Sequence, residues 1–382
     1  MADRYLKYLS IKSVIIIIVA FLLDKVSALS HNCSTTVWAS YATTIAGSPD
    51  GIAGFNSTLL DDPMGIAVGK NDSIYVMDDT DSSSRLQLFY PGSQSGITII
   101  NTTSGTDLDQ FDYATAINID VSGNIYILDL GNGRVTKWAP GASTGILVAG
   151  GNGHGTSLNQ LGGPWNFFVE PNTSYIWIAD KINHRVVKWI NTSTATLAAG
   201  GAGCGSQANQ LCYPGGVFVD TSDSNTLYVA DTNNNRIQKW LYGASSATTV
   251  AGQSSGVAGS AFNQLYMPFD LIVDTNGSMY IVDYGNNRIV LWLLGATSGR
   301  VIAGTGVGGV FPSQLNGPYY FTFDSTGALI VNDHGNNRIQ RFPVICSPNM
   351  TTLSTTSTTA ISQNRTMAIP LTTNSLTTSA SE

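Results

Sequence analysis

The sequence predicts an all-β chain folded as a six-bladed β-propeller of four-stranded antiparallel blades, and three observations predict it. The first is a repeat. Segments RLQLF, RVTKW, RVVKW, RIQKW, RIVLW and RIQRF begin at Arg85, Arg134, Arg185, Arg236, Arg288 and Arg338, spaced by 49, 51, 51, 52 and 50 residues. A period of that size marks a repeat architecture, and four strands per period mark a propeller blade. The second observation is the apolar run rich in Val, Ile and Tyr before each Arg, closing on Asp78, Asp129, Asp180, Asp231, Asp283 or Asp333. The third is that two further runs complete each period, one such as VFVD upstream and one such as TTVAG between repeats, parted by Gly, Asn, Asp and Ser turns. No run has a period of 3.6, so helices should be nearly absent.

Six full blades need one more strand than the repeats contain in order. The segment TTIAG at 43–47 supplies it if the N-terminal strand joins the last blade, whose other strands lie between Tyr319 and Phe342. That interlock leaves no open edge.

Outside the repeats, residues 1–28 combine Arg4, Lys7 and Lys12, ten apolar residues from Val14 to Leu23, and Val26-Ser27-Ala28. Ten apolar residues are too short to span a bilayer, so a cleaved signal peptide and a secreted, extracellular protein with no membrane span are expected. The propeller is expected over 29–347. The tail at 348–382 reads as disordered: 17 of the 32 residues from Thr351 to Glu382 are Ser or Thr.

Removing residues 1–28 takes four of 18 basic and two of 25 acidic groups, leaving 14 against 23 and a formal charge of −9. An acidic chain without a basic stripe excludes nucleic acid as a partner.

The pattern V-A-G, N-Q-L-x-x-P, a strand ending in A-D, then x-x-N-x-R-I resembles the NHL repeat family, from Thr43 to Phe342. It is most evident in ADTNNNRIQKW, VDYGNNRIVLW and NDHGNNRIQRF. The first repeat departs from it: Asp78 and Arg85 lie seven residues apart, not five, with no Asn between. Tripartite-motif ubiquitin ligases carry similar propellers, but the cysteine-rich zinc modules they need are missing here.

Four cysteines after a signal peptide read as two disulfides. Cys33 and Cys346 flank the seam where the ring closes and are expected to pair, adding about 4–5 kcal/mol on the chain-entropy account. Cys204 and Cys212 bracket one loop and are expected to pair locally.

A structural turn is the first reading of the repeated polar set Asp129, Asn132 and Arg134, with Asp180, Asn183 and Arg185, Asp231, Asn234 and Arg236, Asp283, Asn286 and Arg288, and Asp333, Asn336 and Arg338. Asn would supply the positive φ, and Arg charge-assisted hydrogen bonds. A second set, Asp120, Glu170, Asp220, Asp274 and Asp324, reads as turn caps, with a calcium-binding ring as the rival. Of the four histidines, His184 and His334 fall in the repeated turn half a ring apart and cannot share an ion, so no metal or other cofactor is expected.

The long loops entering each blade are the place for recognition. Trp165, Tyr213, Tyr266, Phe269, Tyr319 and Tyr320 stand at the start of the inner strands. Asn166 and Asp270 share the parity of the channel-facing Asn118 and Thr322. Together they would form an aromatic rim around a polar mouth, or else pack between blades.

Nine N-x-S/T sequons occur, at Asn32, Asn56, Asn71, Asn101, Asn172, Asn191, Asn276, Asn349 and Asn364. Asn71, Asn172, Asn191 and Asn276 should lie opposite the long loops, leaving that face clear. The expected function is therefore a secreted, non-catalytic scaffold that binds an extracellular protein, a glycan or a small molecule. A metal-dependent propeller enzyme, similar to peptide-amidating lyases or calcium-dependent hydrolases, is the alternative.

Overall fold

The computed structural model describes residues 36–80 and 83–345. The signal segment 1–28, Cys33, Cys346, Asn32, Asn349, Asn364 and the tail from 348 lie outside the described residues.

Six four-stranded antiparallel sheets form the blades, and their innermost strands touch in a closed cycle from blade one to blade six and back. Blade four runs in order from the channel outward: Val217–Asp220, Thr226–Asp231, Arg236–Trp240 and Thr248–Gly252. Blade six takes three strands, Phe321–Phe323, Leu329–Asp333 and Arg338–Phe342, from the end of the chain. Its outer strand, Thr43–Gly47, comes from the beginning and pairs antiparallel with Arg338–Phe342. Val37–Trp38 adds a short antiparallel pair with Val344–Ile345, so two pairings hold the seam. Each sheet is covered on both faces: Val76, Ile127, Ile178, Val229, Ile281 and Val331, at matching points of the second strands, have no exposure.

One buried carboxylate per blade ties the blade to its long loop. In blade four, Asp231 Oδ2 accepts hydrogen bonds from Arg236 Nε and Asn234 Nδ2, both at 2.8 Å, while Oδ1 accepts from the Cys212 backbone N–H at 2.7 Å. Arg236 then donates to Ser206 O and Asn234 to Gly205 O, both in the long loop. Blades two, three, five and six repeat the set with Asp129, Asp180, Asp283 and Asp333. Burial pushes the Asp231 carboxyl upward, and Arg236, Asn234 and the Cys212 N–H oppose it. In blade one the two extra residues lengthen the ladder, pairing Asp79 with Ser84 and Thr80 with Ser83. Arg85 still grips Asp78 and Leu59 O, and Phe55 lies 3.9 Å from its guanidinium in place of the missing Asn.

The repeated Asn is not the residue with positive φ. That position is the next one, held by Gly133, His184, Asn235, Asn287 and Asn337, with φ between 49° and 57°. Asn132, Asn183, Asn234, Asn286 and Asn336 instead spend their amides on Asp and the loop. The left-handed residue reaches into the next blade: Asn235 Oδ1 accepts from Met267 N–H at 2.9 Å, Asn287 Oδ1 from Gly317 at 2.8 Å, and Asn337 Oδ1 from Asp62 at 3.2 Å. His184 Nδ1 takes the same role, accepting from Tyr213 N–H at 3.2 Å. The Gly that ends or follows the outer strand in five blades, Gly47, Gly150, Gly200, Gly252 and Gly304, is required by this turn. At Gly252, with φ +75°, a Cβ would come within 2.5 Å of Asn235 O.

The inner-strand carboxylates cap turns on the opposite face. Asp120, Asp220, Asp274 and Asp324 each accept two backbone N–H groups of the following turn, and Glu170 pairs with Lys188. Asp324 also holds Arg341 at 2.7 Å. Cys204 and Cys212 are bonded as a disulfide inside the blade-four loop.

Two stability predictions follow from this frame. Arg288→Met leaves Asp283 buried without its cation and should cost about 3–5 kcal/mol in denaturant unfolding. Arg341→Met, at a partly exposed pair, should cost roughly 0–1 kcal/mol; equal losses would show that the buried set is not the main tie. His184 must be neutral to accept its bond, and burial lowers its pKa. Its folded state disfavours the proton, so stability should fall as pH drops from about 6.5 through the folded value. His184→Asn should match the parent at pH 8 and exceed it at pH 5 in thermal melts.

Candidate functional site at the channel mouth

The inner strands enter the channel from the long-loop face through a register shift. In blade three, Pro164 pairs with Asp180 and Asn166 with Ala179, so Trp165 bulges out of the ladder. In blade five the shift falls between Pro268 and Leu271 and frees Phe269 and Asp270. Blades one and two carry the same shift, but there the positions matching Trp165–Asn166 and Phe269–Asp270 hold Met64–Gly65 and Thr115–Ala116, and blade four holds Gly215–Gly216.

Side chains of blades three, five and six meet in that space. Tyr320 Oη donates to Trp165 O at 2.9 Å across the ring, and Asn166 Nδ2 to Asp270 Oδ1 at 2.9 Å. Tyr319 stacks on Phe269 with centroids 4.7 Å apart, and Trp165 meets both rings edge-on at 5.5 and 6.0 Å. Tyr284 and His334 flank Tyr319 at 5.5 and 3.9 Å. These contacts fill the space between the three blades and leave Trp165, Tyr284, Tyr319 and His334 partly exposed.

The charges of this mouth are unlike those of the frame. Lys181 Nζ lies 3.7 Å from the Trp165 ring centroid and 5.1 Å from that of Phe269. Burial alone pushes its pKa down to about 8. Burial raises Asp270 to about 7, against hydrogen bonds from the Leu271 and Phe321 backbones and Asn166. Asp79 rises to about 6, also by burial, while accepting from Ser84 Oγ and Ala114 N–H. His334 Nε2 contacts Asp62 Oδ1. Among the described residues no three His, Cys, Asp or Glu side chains gather as a metal site.

The structure divides the eight expected site residues. Asn166, Phe269, Asp270 and Tyr320 are buried in the channel plug, and only Trp165 and Tyr319 among the others open on the mouth. Tyr213 stands apart against His184 at 4.6 Å, and Tyr266 covers the turn at Gly285. Sequence reasoning missed Asp79, Lys181, Tyr284 and His334. One signal marks them: each follows the repeated Asp, where the six blades carry Asp79, Leu130, Lys181, Thr232, Tyr284 and His334.

Asp270 gives the site a pH signature. Its folded pKa of about 7 exceeds the unfolded value near 3.9, so its contribution is full in acid and lost as pH rises through 7. Asp270→Asn keeps the acceptor and removes the charge. It should melt higher than the parent at pH 8.5 and equal to it at pH 4; a gain of the same size at both values would exclude titration at this residue.

The NHL repeat profile matches residues 211–240, which hold the end of one long loop and the first three strands of blade four. Among solved structures, a protein of unknown function from Bacteroides thetaiotaomicron is 16% identical with a TM-score of 0.61, covering 81% of this chain and 77% of that one. An auxiliary nutrient binding protein from the same organism is 13% identical with a TM-score of 0.59 and the same coverage. A gluconolactonase from Xanthomonas campestris is 14% identical with a TM-score of 0.53, covering 82% and 98%. No curated protein matches the chain. These identities speak for the fold alone: the chain is a six-bladed β-propeller, and one segment of its fourth blade matches the NHL repeat profile.

Proposed function

We propose that the chain is an exported recognition protein that seats a ligand in the channel mouth on the long-loop face, without turnover. One observation carries this reading: the Asp and Arg of the frame are constant around the ring, while the residue after each Asp varies, and in blades three, five and six it meets the rings of Trp165, Phe269 and Tyr319. A frame that serves folding repeats, and a binding surface differs from blade to blade. The partly exposed rings of Trp165, Tyr284 and Tyr319 beside Lys181 and His334 suit a sugar, a peptide or a small molecule. The auxiliary nutrient binding protein among the similar structures supports the same class.

Export rests on the signal segment at 1–28, and among the described residues no helix is long and apolar enough to cross a membrane. We read Cys33 and Cys346 as bridged, because the strands at 37–38 and 344–345 pair beside them. We read the tail from 348 as a Ser/Thr-rich extension. Asn56, Asn71, Asn101, Asn172, Asn191 and Asn276 are all exposed and available to glycan.

The enzyme reading has one observation in its favour, the His334–Asp62 contact beside the mouth, and one similar structure, the gluconolactonase. Titration with neutral and charged disaccharides and short peptides, followed by tryptophan fluorescence, tests the binding reading. Trp165→Ala should weaken binding at least tenfold, or about 1.4 kcal/mol. Tyr242→Ala, exposed on the opposite face, should leave it unchanged. The reverse order of effects would rule out the mouth, and stoichiometric zinc or calcium lost together with turnover of a probe would favour the enzyme.

A further inference from the structure

Every other half-buried cation of the described residues has an anion at hand. Lys137 meets Asp120, Lys188 meets Glu170 and Lys239 meets Asp223, each while resting on an aromatic ring. The six repeated Arg side chains grip their Asp, and Arg341 grips Asp324. Lys181 keeps the ring and lacks the anion. Its ammonium sits over Trp165 and Phe269 with no carboxylate in reach.

Burying an ammonium without a partner is costly, and a cation–π contact offsets only part of that cost. The frame does not require it, since Leu130, Thr232, Tyr284 and His334 fill the same position in other blades. Nor does Lys181 hold the turn. Its own backbone N–H bonds Gly163 O at 3.2 Å, a contact that any side chain would allow. The ammonium is thus placed for something other than folding, at the rim where Trp165 and Tyr319 are still partly open.

Resting on the mouth reading above, we infer that Lys181 anchors the carboxylate of a ligand whose body packs on the neighbouring aromatic faces, and that the ligand class is an acidic sugar. A carboxylate brings the missing charge, and the C–H groups of a pyranose ring pack against aromatic faces, of which Trp165 and Tyr284 are still partly open. Bound there, the anion would also reverse the effect of burial, which already pulls Lys181 down to about 8.

Calorimetry on the full chain at pH 7 with trigalacturonate and its fully methyl-esterified form separates charge from shape. The acid should bind at least tenfold more tightly than the ester. Lys181→Met should bring the acid down to the level of the ester, and Lys181→Arg should retain most of the difference; because Asp180 and Arg185 are untouched, neither should unfold earlier than the parent, and Lys181→Met, relieved of a buried charge, should unfold at or above the parent's midpoint. Equal binding of acid and ester, unchanged affinity for the acid in Lys181→Met, or no binding of either form would overturn the inference. If both forms bind alike and Trp165→Ala abolishes both, the anchor fails while the mouth stands. If Lys181→Met removes the acid's advantage but Trp165→Ala changes neither affinity, the charge contact stands and the aromatic mouth fails.

Discussion

The rest of this propeller depends on one buried carboxylate per blade. A long loop leaving the outer strand of one blade must find the inner strand of the next, and its carbonyl groups have no ladder to join. Asp231 and its equivalents solve both problems from one point. They accept a loop N–H on one oxygen and hold Arg and Asn on the other, and these two donate onward to the loop carbonyls. A fully buried carboxylate is tolerable only because every lone pair in reach is used. The same set repeated in consecutive blades makes the long-loop face rigid, and a rigid face is what recognition on loops requires.

Closure adds a second constraint. In blades three to six the left-handed residue at the end of the turn accepts a hydrogen bond from the next blade's loop, and the series reaches the seam, from Asn337 of blade six to Asp62 of blade one. The outer strand borrowed from the beginning of the chain therefore joins blades already linked on the long-loop side. On the opposite face Asp72 of blade one holds Ser325 of blade six. The seam is thus tied at both faces as well as through the sheet.

The strand count, the blade boundaries and the borrowed strand at 43–47 were legible in the sequence because they rest on a period and on alternation, both local and repeated six times. The turn was legible in its residues but not in their roles. Asn234 and Asn235 look interchangeable in NNN, and only the backbone separates the one that feeds Asp231 from the one with φ of 53°. The site was legible in part. Trp165 and Tyr319 stood out as aromatics, but the bond from Tyr320 to Trp165 joins residues 155 apart, and that from Asn166 to Asp270 residues 104 apart. Nothing local announces such contacts. Lys181 was hidden for another reason: reading the repeat draws attention to what stays constant, and this position varies.

That variation has a physical limit that explains its pattern. The position after each Asp sits where six inner strands converge, so its side chains compete for one small volume. Asp79 and Thr232, the two buried members, are short and turn their oxygens to Ser84, Ala114 N–H and Pro268 O. Lys181, Tyr284 and His334 are long, and they lie in the same three blades that supply Trp165, Phe269 and Tyr319. Size is therefore concentrated in blades three, five and six, so the mouth is uneven around the ring. A sixfold frame with an uneven mouth can present an ammonium without a carboxylate partner, Lys181, against an aromatic wall. A ligand entering there meets a defined direction, although the scaffold around it has almost none.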